Sequence, residues 1–257
     1  MHGSQLGIKS TALISYRRSR NGTLLSMTTV RGARARARIE ITAAIKDEAR
    51  TQLAAEGAAK LSLRAVAREL GMASSALYRY FPSRDDLLTA LIIDAYDALG
   101  AEAEKAAADT AGLRPLDRWT AVCRAVRAWA LAHPHEYALI YGSPVPGYTA
   151  PQDTVAPAAR VGLVLIETAR RAHGGEGIAL PPLPEALRPE AARLAADVAP
   201  DLPPALAVAL VVAWSQLFGL VSFEVFGQFH RVVEDRDAFF AAAARRLGQD
   251  VGLLPRG

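Results

Sequence analysis

The chain contains a single cysteine, Cys123, in 257 residues. One thiol excludes an internal disulfide framework and any zinc site built on cysteines. The usage fits a reducing cytoplasm, and nothing in the chain requires export. Aromatic residues are few, at 7%. No stretch alternates apolar and polar residues with the period of two that half-buried strands need. What remains is rich in alanine and leucine, so the expected fold class is all-α.

The patterns of catalysis are also missing. There is no His-x-x-x-His, no Gly-x-Ser-x-Gly and no Walker sequence. His133-x-His135 lacks a third ligand at useful spacing and borders a proline. The glycine run after His173 follows no strand and reads as a loop, not a phosphate cradle. Cys123 sits at an amphipathic position and reads as core. The chain is therefore expected to be no enzyme and to need no metal or cofactor.

A secretory leader needs a continuous apolar stretch that the N-terminus does not have. Ser, Thr, Gly and Arg dominate it, so residues 1 to about 30 are expected to be disordered; Met1 and Met27 both stand open as starts. The uncharged run Ala205–Phe223 is long enough to cross a bilayer. Ser215, Gln216 and Gly219 interrupt it and Glu224 follows at once, so it reads as a buried helix and no membrane partner is expected.

Charge is present but uneven. Residues 1–38 carry eight basic residues and no acid, residues 39–93 balance seven against seven, and the remainder is acidic, fifteen basic against nineteen acidic. A basic arm thus adjoins a neutral segment, with the acid kept elsewhere. That layout suits a polyanion.

The neutral segment holds the most specific pattern. Ile41, Ile45, Ala49 and Leu53 recur every four residues on a helix over 37–56, which Gly57 closes. Ser62 caps a second helix to Leu70, with Val66, Ala67 and Leu70 inward. Gly71 permits a sharp turn. A third helix follows over 74–81 with Leu77 and Phe81 inward, and Pro82 ends it. Ser83-Arg84-Asp85-Asp86 is spaced as a capping box for a long fourth helix to Asp109. A small residue at the crossing, a glycine in the turn and apolar pins on the second short helix are what a helix-turn-helix requires.

Further helices are expected over 116–132, 136–141, 154–172, 190–198, 204–229 and 235–247. A Pro- and Gly-rich loop should span 142–148 and a connection 174–189.

Gly57, Ser62, Gly71, Leu77-Tyr78-Arg79-Tyr80-Phe81 and Ser83-Arg84 together resemble the DNA-binding domain of the TetR family of transcriptional regulators. The likeness covers about residues 37–93. It departs at Ala73, where the family often has a capping Ser or Thr; Ser74 is the alternative cap one residue later. The resemblance implies three parts: a flexible basic arm over 1–36, a helix-turn-helix domain over 37–93, and a helical effector-binding and dimerisation domain over 94–257. It implies that Ser74, Ser75 and Ala76 lie nearest base edges and that Tyr78 approaches a phosphate or a thymine methyl. Arg79 would reach a guanine edge or a phosphate, and Tyr80 the backbone. Ser62, Arg64 and Arg84 would bind phosphates. Arg34, Arg36 and Arg38 belong either to an arm on the minor groove or phosphates, or to a solvated tail.

The C-terminal part resembles one subgroup of the family in its Tyr141–Tyr148 loop and in Trp214, Gly219, Glu224 and Gly227. Trp129, Tyr137, Tyr141, Tyr148, Trp214 and Phe218 are the aromatic candidates to line a ligand pocket, with plain core packing as the alternative for each. Glu224 is a carboxylate in an apolar helix; pairing with an arginine is the first expectation, with a ligand contact or a wet interface as the alternatives. The resemblance implies a homodimer through the last two helices, bound to a near-palindromic DNA operator and released by a small-molecule effector. The rival readings are a DNA-binding regulator without an effector and, more remotely, a helical enzyme or carrier.

Overall fold

A computed structural model of the chain describes residues 8–175 and 177–254, with side chains described from residue 32. It contains ten α-helices among those residues: α1 (Ile8–Glu56), α2 (Leu63–Glu69), α3 (Ser74–Leu77), α4 (Arg84–Asp109), α5 (Pro115–Ala132), α6 (Pro134–Tyr141), α7 (Val155–His173), α8 (Arg188–Val198), α9 (Pro204–Val225) and α10 (Arg236–Val251). No strand occurs among the described residues; a lone antiparallel bridge joins Ile178 to Leu253.

The chain divides into two compact units. The first is Met1–Thr51 with Ser62–Pro82, and the second is Gln52–Leu61 with Ser83–Gly257. These divisions do not fall at 36/37 and 93/94, where the family pattern suggested boundaries. The end of α1 and the turn after it belong by their contacts with the larger unit.

The first unit holds α2, α3 and most of α1. The expected start of α1 at Ala37 needs correction: the helix already runs from Ile8. Residues 8–36 are therefore helix where a flexible arm was expected, and the expected disorder of residues 1–7 lies outside the described residues. The physical reason is local. No proline precedes Pro82, and the Arg-Ala repeat from Arg31 to Arg38 consists of strong helix formers apart from Gly32.

Ile45 and Ala49 are fully buried and Ile41 only partly so. The Ser62 hydroxyl accepts the Ala65 N–H at 3.4 Å, which caps α2. Gly71 has φ +62°, a value that costs a non-glycine residue steric strain, and it reverses the chain. The α-helical part of the recognition segment is only four residues, Ser74–Leu77, and looser turns carry it to Tyr80. Ala73 occupies the cap position without a side-chain bond, so Ser74 does not take over that role. A helix this short is not stable alone. It is held by burial of Leu77 and Phe81, each contributing about 1.5–3 kcal/mol.

The second unit is a helical bundle. Helix α4 packs on α5 and α7, α10 packs on α5 and α9, and α8 covers α9. Its core includes Leu99, Trp119, Val126, Leu165, Leu206, Leu217 and Phe240. The Trp119 indole donates to the Ala244 carbonyl at 3.1 Å, satisfying its buried N–H. Helix α9 stops at Val225, not at Phe229, and Gly227 turns the chain with φ +82°. The C-terminal end is fastened to the segment after α7: Ala179 N–H donates to Gly252 O at 2.9 Å and Leu254 N–H to Gly177 O at 3.1 Å. Gly252, at φ +103°, stands where a Cβ would lie 2.0 Å from the Ala179 carbonyl oxygen.

A candidate DNA-reading head and effector body

The turn of α3 divides its side chains by direction. Leu77 and Phe81 point inward and are buried, while Ser74, Ser75, Tyr78 and Arg79 are exposed. Ala76 and Tyr80 are half-buried. Hydroxyl, phenol and guanidinium groups on one exposed turn, backed by apolar pins, can meet phosphates and base edges without unfolding anything. Arg64 on α2 and Arg34 and Arg36 on α1 are exposed as well.

Three expected contacts have structural partners of their own. Ser62 caps α2. The Arg38 guanidinium lies 5.2 Å from the Tyr80 ring centroid and donates to the Arg79 carbonyl at 3.5 Å, so it braces the recognition turn against α1. Arg84 is the third case. Its Nε donates to Leu61 O at 3.2 Å, its Nη2 to Ala58 O at 2.8 Å and Ala59 O at 3.3 Å, and its Nη1 meets Asp85 at 3.4 Å. It ties the turn after α1 to the start of α4, where a phosphate contact was expected. Ser83 accepts the Asp86 N–H at 3.1 Å and donates its hydroxyl to the Asp86 carboxylate at 2.7 Å.

In the body, four of the six aromatic candidates form one stack. Tyr137 lies 5.1 Å from Tyr141, Tyr141 stacks on Phe218 at 4.2 Å, and Trp214 meets Phe218 edge-on at 5.9 Å. Tyr137 is fully buried, and its hydroxyl is satisfied by Ser222 at 2.8 Å and by Phe218 O at 3.3 Å. Burial pushes that phenol up to about 12. Trp129 is buried against the His133 ring, 5.0 Å away. Tyr137, Phe218 and Trp129 are thus core residues. Tyr148 and Trp214 line cavities, but two different ones. Tyr148 and Tyr96 border a cavity of about 590 Å³ between α4, α6 and α7, and Tyr148 shares a 2.9 Å hydrogen bond with Thr89. Trp214 closes an apolar cavity of about 250 Å³ between α7 and α9. Neither of these two cavities is walled by all six.

Glu224 is buried and paired. Arg127 grips it with two bonds, 2.6 and 2.7 Å, and reaches Asp237 at 2.7 Å. Arg127 and Glu224 lie 97 positions apart, so no local spacing announced the partner. Sequence reasoning also passed over Arg118, which is buried on α5. Its place beside Trp119 on an amphipathic helix carried no signal of that.

A helix-turn-helix head on a larger helical body defines a class of one-chain transcriptional regulators. The comparisons place the chain within it. The profile described as "Bacterial regulatory proteins, tetR family" matches residues 45–91, and that described as "Tetracyclin repressor-like, C-terminal domain" matches residues 119–247. An HTH-type transcriptional regulator of Mycobacterium tuberculosis is 39% identical over 220 residues, covering 84% of this chain and 94% of that protein; a regulator of Mycobacterium bovis matches equally. The crystal structure of the regulatory protein SCO4313 is 36% identical with a TM-score of 0.68, covering 83% of this chain and 97% of that one. A protein from Rhodococcus sp. RHA1, 22% identical, shares the fold at a TM-score of 0.62 over 81% of this chain and 93% of its own. The chain belongs to the TetR family of transcriptional regulators. It is an all-α, DNA-binding protein of the helix-turn-helix type.

Proposed function

We propose that the protein is a ligand-responsive repressor that binds a near-palindromic operator as a homodimer. The observation that carries this is the recognition turn, where Ser74, Ser75, Tyr78 and Arg79 face outward on a base pinned by buried Leu77 and Phe81. Ser74, Ser75 and Ala76 read base edges, Tyr78 reaches a phosphate or a thymine methyl, and Arg79 a guanine edge or a phosphate. Arg64, Arg34 and Arg36 supply phosphate contacts from α2 and α1. Arg38 and Tyr80 brace the recognition turn from behind, and Ser62 caps α2 beside it.

Dimerisation uses α9 and α10. Val212 and Phe223 on α9 and Phe239 on α10 are exposed at 47%, 53% and 42%, an apolar face suited to a symmetric helical interface. Two heads about 34 Å apart would then enter successive major grooves. The cavities of the body offer an effector its site. Release requires that the effector prefer a dimer geometry unsuited to the operator.

Sequencing DNA fragments captured by the full-length protein tests this reading. A recurrent near-palindrome is expected from the wild type and a weaker enrichment of the same sequence from Arg79→Ala. Capture without sequence preference would overturn the operator assignment.

A further inference from the structure

Four polar or charged side chains are buried among the described residues: Arg118, Thr154, Thr168 and Glu224. Three have partners. Thr154 donates to Pro151 O at 2.7 Å, Thr168 to Val164 O at 2.9 Å, and Glu224 is held by Arg127. Arg118 is different. It is 8% exposed, and its Nε is sealed from solvent with no acceptor among the described residues. A guanidinium cannot shed its charge to escape this position. A buried unpaired charge is costly, and the cost falls away when an anion joins it.

Arg118 lines a cavity of about 540 Å³ between α4, α5 and α7, a volume usual for small-molecule sites. The other charges on its wall are already matched. Arg160 grips Glu104 at 2.8 and 2.7 Å and also holds Asp97. Glu167 is shared by Arg170 at 2.7 Å and Arg171 at 2.8 Å. The spare charge on the wall is therefore that of Arg118. Burial and the nearby Arg171 both weaken its hold on its proton, with Glu167 acting the other way. Ala107, Leu163 and Val164 make the rest of the wall apolar.

We propose that this cavity binds a small organic monocarboxylate, with the carboxylate on Arg118 and the hydrocarbon against Ala107, Leu163 and Val164, and that such an acid is the effector. The proposal rests on the reading of the chain as a ligand-responsive regulator. The planar guanidinium fork matches a carboxylate with two parallel hydrogen bonds. The charge balance selects a monoanion. One unpaired cation meets one negative charge, while Glu104 and Glu167 repel the second charge of a dianion.

Calorimetric titration of the full-length dimer at neutral pH tests the site. The probes are straight-chain acids from acetate to octanoate, benzoate, the corresponding amides, and sulfate as the dianion. At least one acid is expected to bind ten-fold or more tightly than its amide, and sulfate not to bind. Arg118→Met should abolish acid binding while leaving the ligand-free Tm unchanged or higher, because it removes a buried unpaired charge. Ala108→Trp, at the exposed rim of the same cavity, should block the acid with the core untouched. The site is overturned if no acid binds, if Arg118→Met or Ala108→Trp binds acid as well as the wild type, or if Arg118→Met lowers Tm by several degrees as loss of a structural post would. Operator binding in the presence of the acid reads the regulatory half separately. Weakening of ten-fold or more is expected, whereas acid binding with unchanged operator affinity would leave the carboxylate site standing and overturn its role as effector.

Discussion

Tyr78 and Arg79 leave the recognition turn side by side, and neither side chain is needed to hold it there. Both are exposed, whereas Leu77 and Phe81 carry the packing. Binding and folding are thus separable at this spot. Arg79→Ala and Tyr78→Ala should each weaken operator binding by about 5- to 150-fold, the equivalent of about 1–3 kcal/mol, with far-ultraviolet circular dichroism unchanged. Fluorescence anisotropy on labelled operator checks this; full affinity in both variants would remove these residues from the interface. Gly252 represents the opposite case, a residue with a strict conformational role. Its φ of +103° and the Ala179 oxygen 2.0 Å from a notional Cβ leave no room for alanine. Gly252→Ala should cost at least about 1–3 kcal/mol, and each kcal/mol is worth about 2–4 °C in Tm for a chain near this size. Calorimetry of the variant would show it; an unchanged Tm would mean the C-terminal fastening is dispensable.

Among the elements, α9 shows why composition alone is ambiguous. It is apolar on nearly every side, yet its positions have separate fates. Leu217 is fully buried in its own bundle and Val212 is exposed. Val212→Glu should leave a folded monomer, measured by sedimentation. Leu217→Asp should prevent folding by burying an unpaired charge. A folded, dimeric Val212→Glu would move the interface elsewhere. The helix-turn-helix was readable from the residues because its demands are local: Ser62 caps, Gly71 turns, and Leu77 and Phe81 pin, all within one short span. Tertiary partners are less legible. Arg84 carries the same charge whatever it meets, so nothing local announced its bonds to the carbonyls of residues 58, 59 and 61. The same holds for Arg38, drawn onto Tyr80, and for the aromatics, whose spacing did not say which would be core. The long start of α1 was missed for another reason. Its polar and basic composition resembles that of a disordered arm, although it contains no helix breaker stronger than glycine.

Across the whole molecule, ion pairs set the response to acid. Hydrogen bonds from Arg160 hold the Glu104 carboxyl below its ordinary value of 4.5, and those from Arg171 and Arg170 do the same for Glu167. For both groups the unfolded chain takes up protons first as pH falls. Their stabilisation is therefore complete above about pH 4.5 and is lost progressively below it. Both pairs are partly exposed, so each contributes less than about 1 kcal/mol. Tm measured from pH 6 to pH 3 should stay level and then decline, and the double variant Glu104→Gln, Glu167→Gln should decline less steeply. An identical decline would assign acid sensitivity to other carboxylates.

The bridge between Ile178 and Leu253 has a consequence in time as well as in space. A nascent chain folds from its N-terminus as it is made, and the reading head can form early because its residues end at Pro82. Leu253 lies beyond α8, α9 and α10, so the loop it closes with Ile178 stays open until all three helices have been made. Each newly made chain therefore passes through an interval with a finished DNA-reading head and an open body.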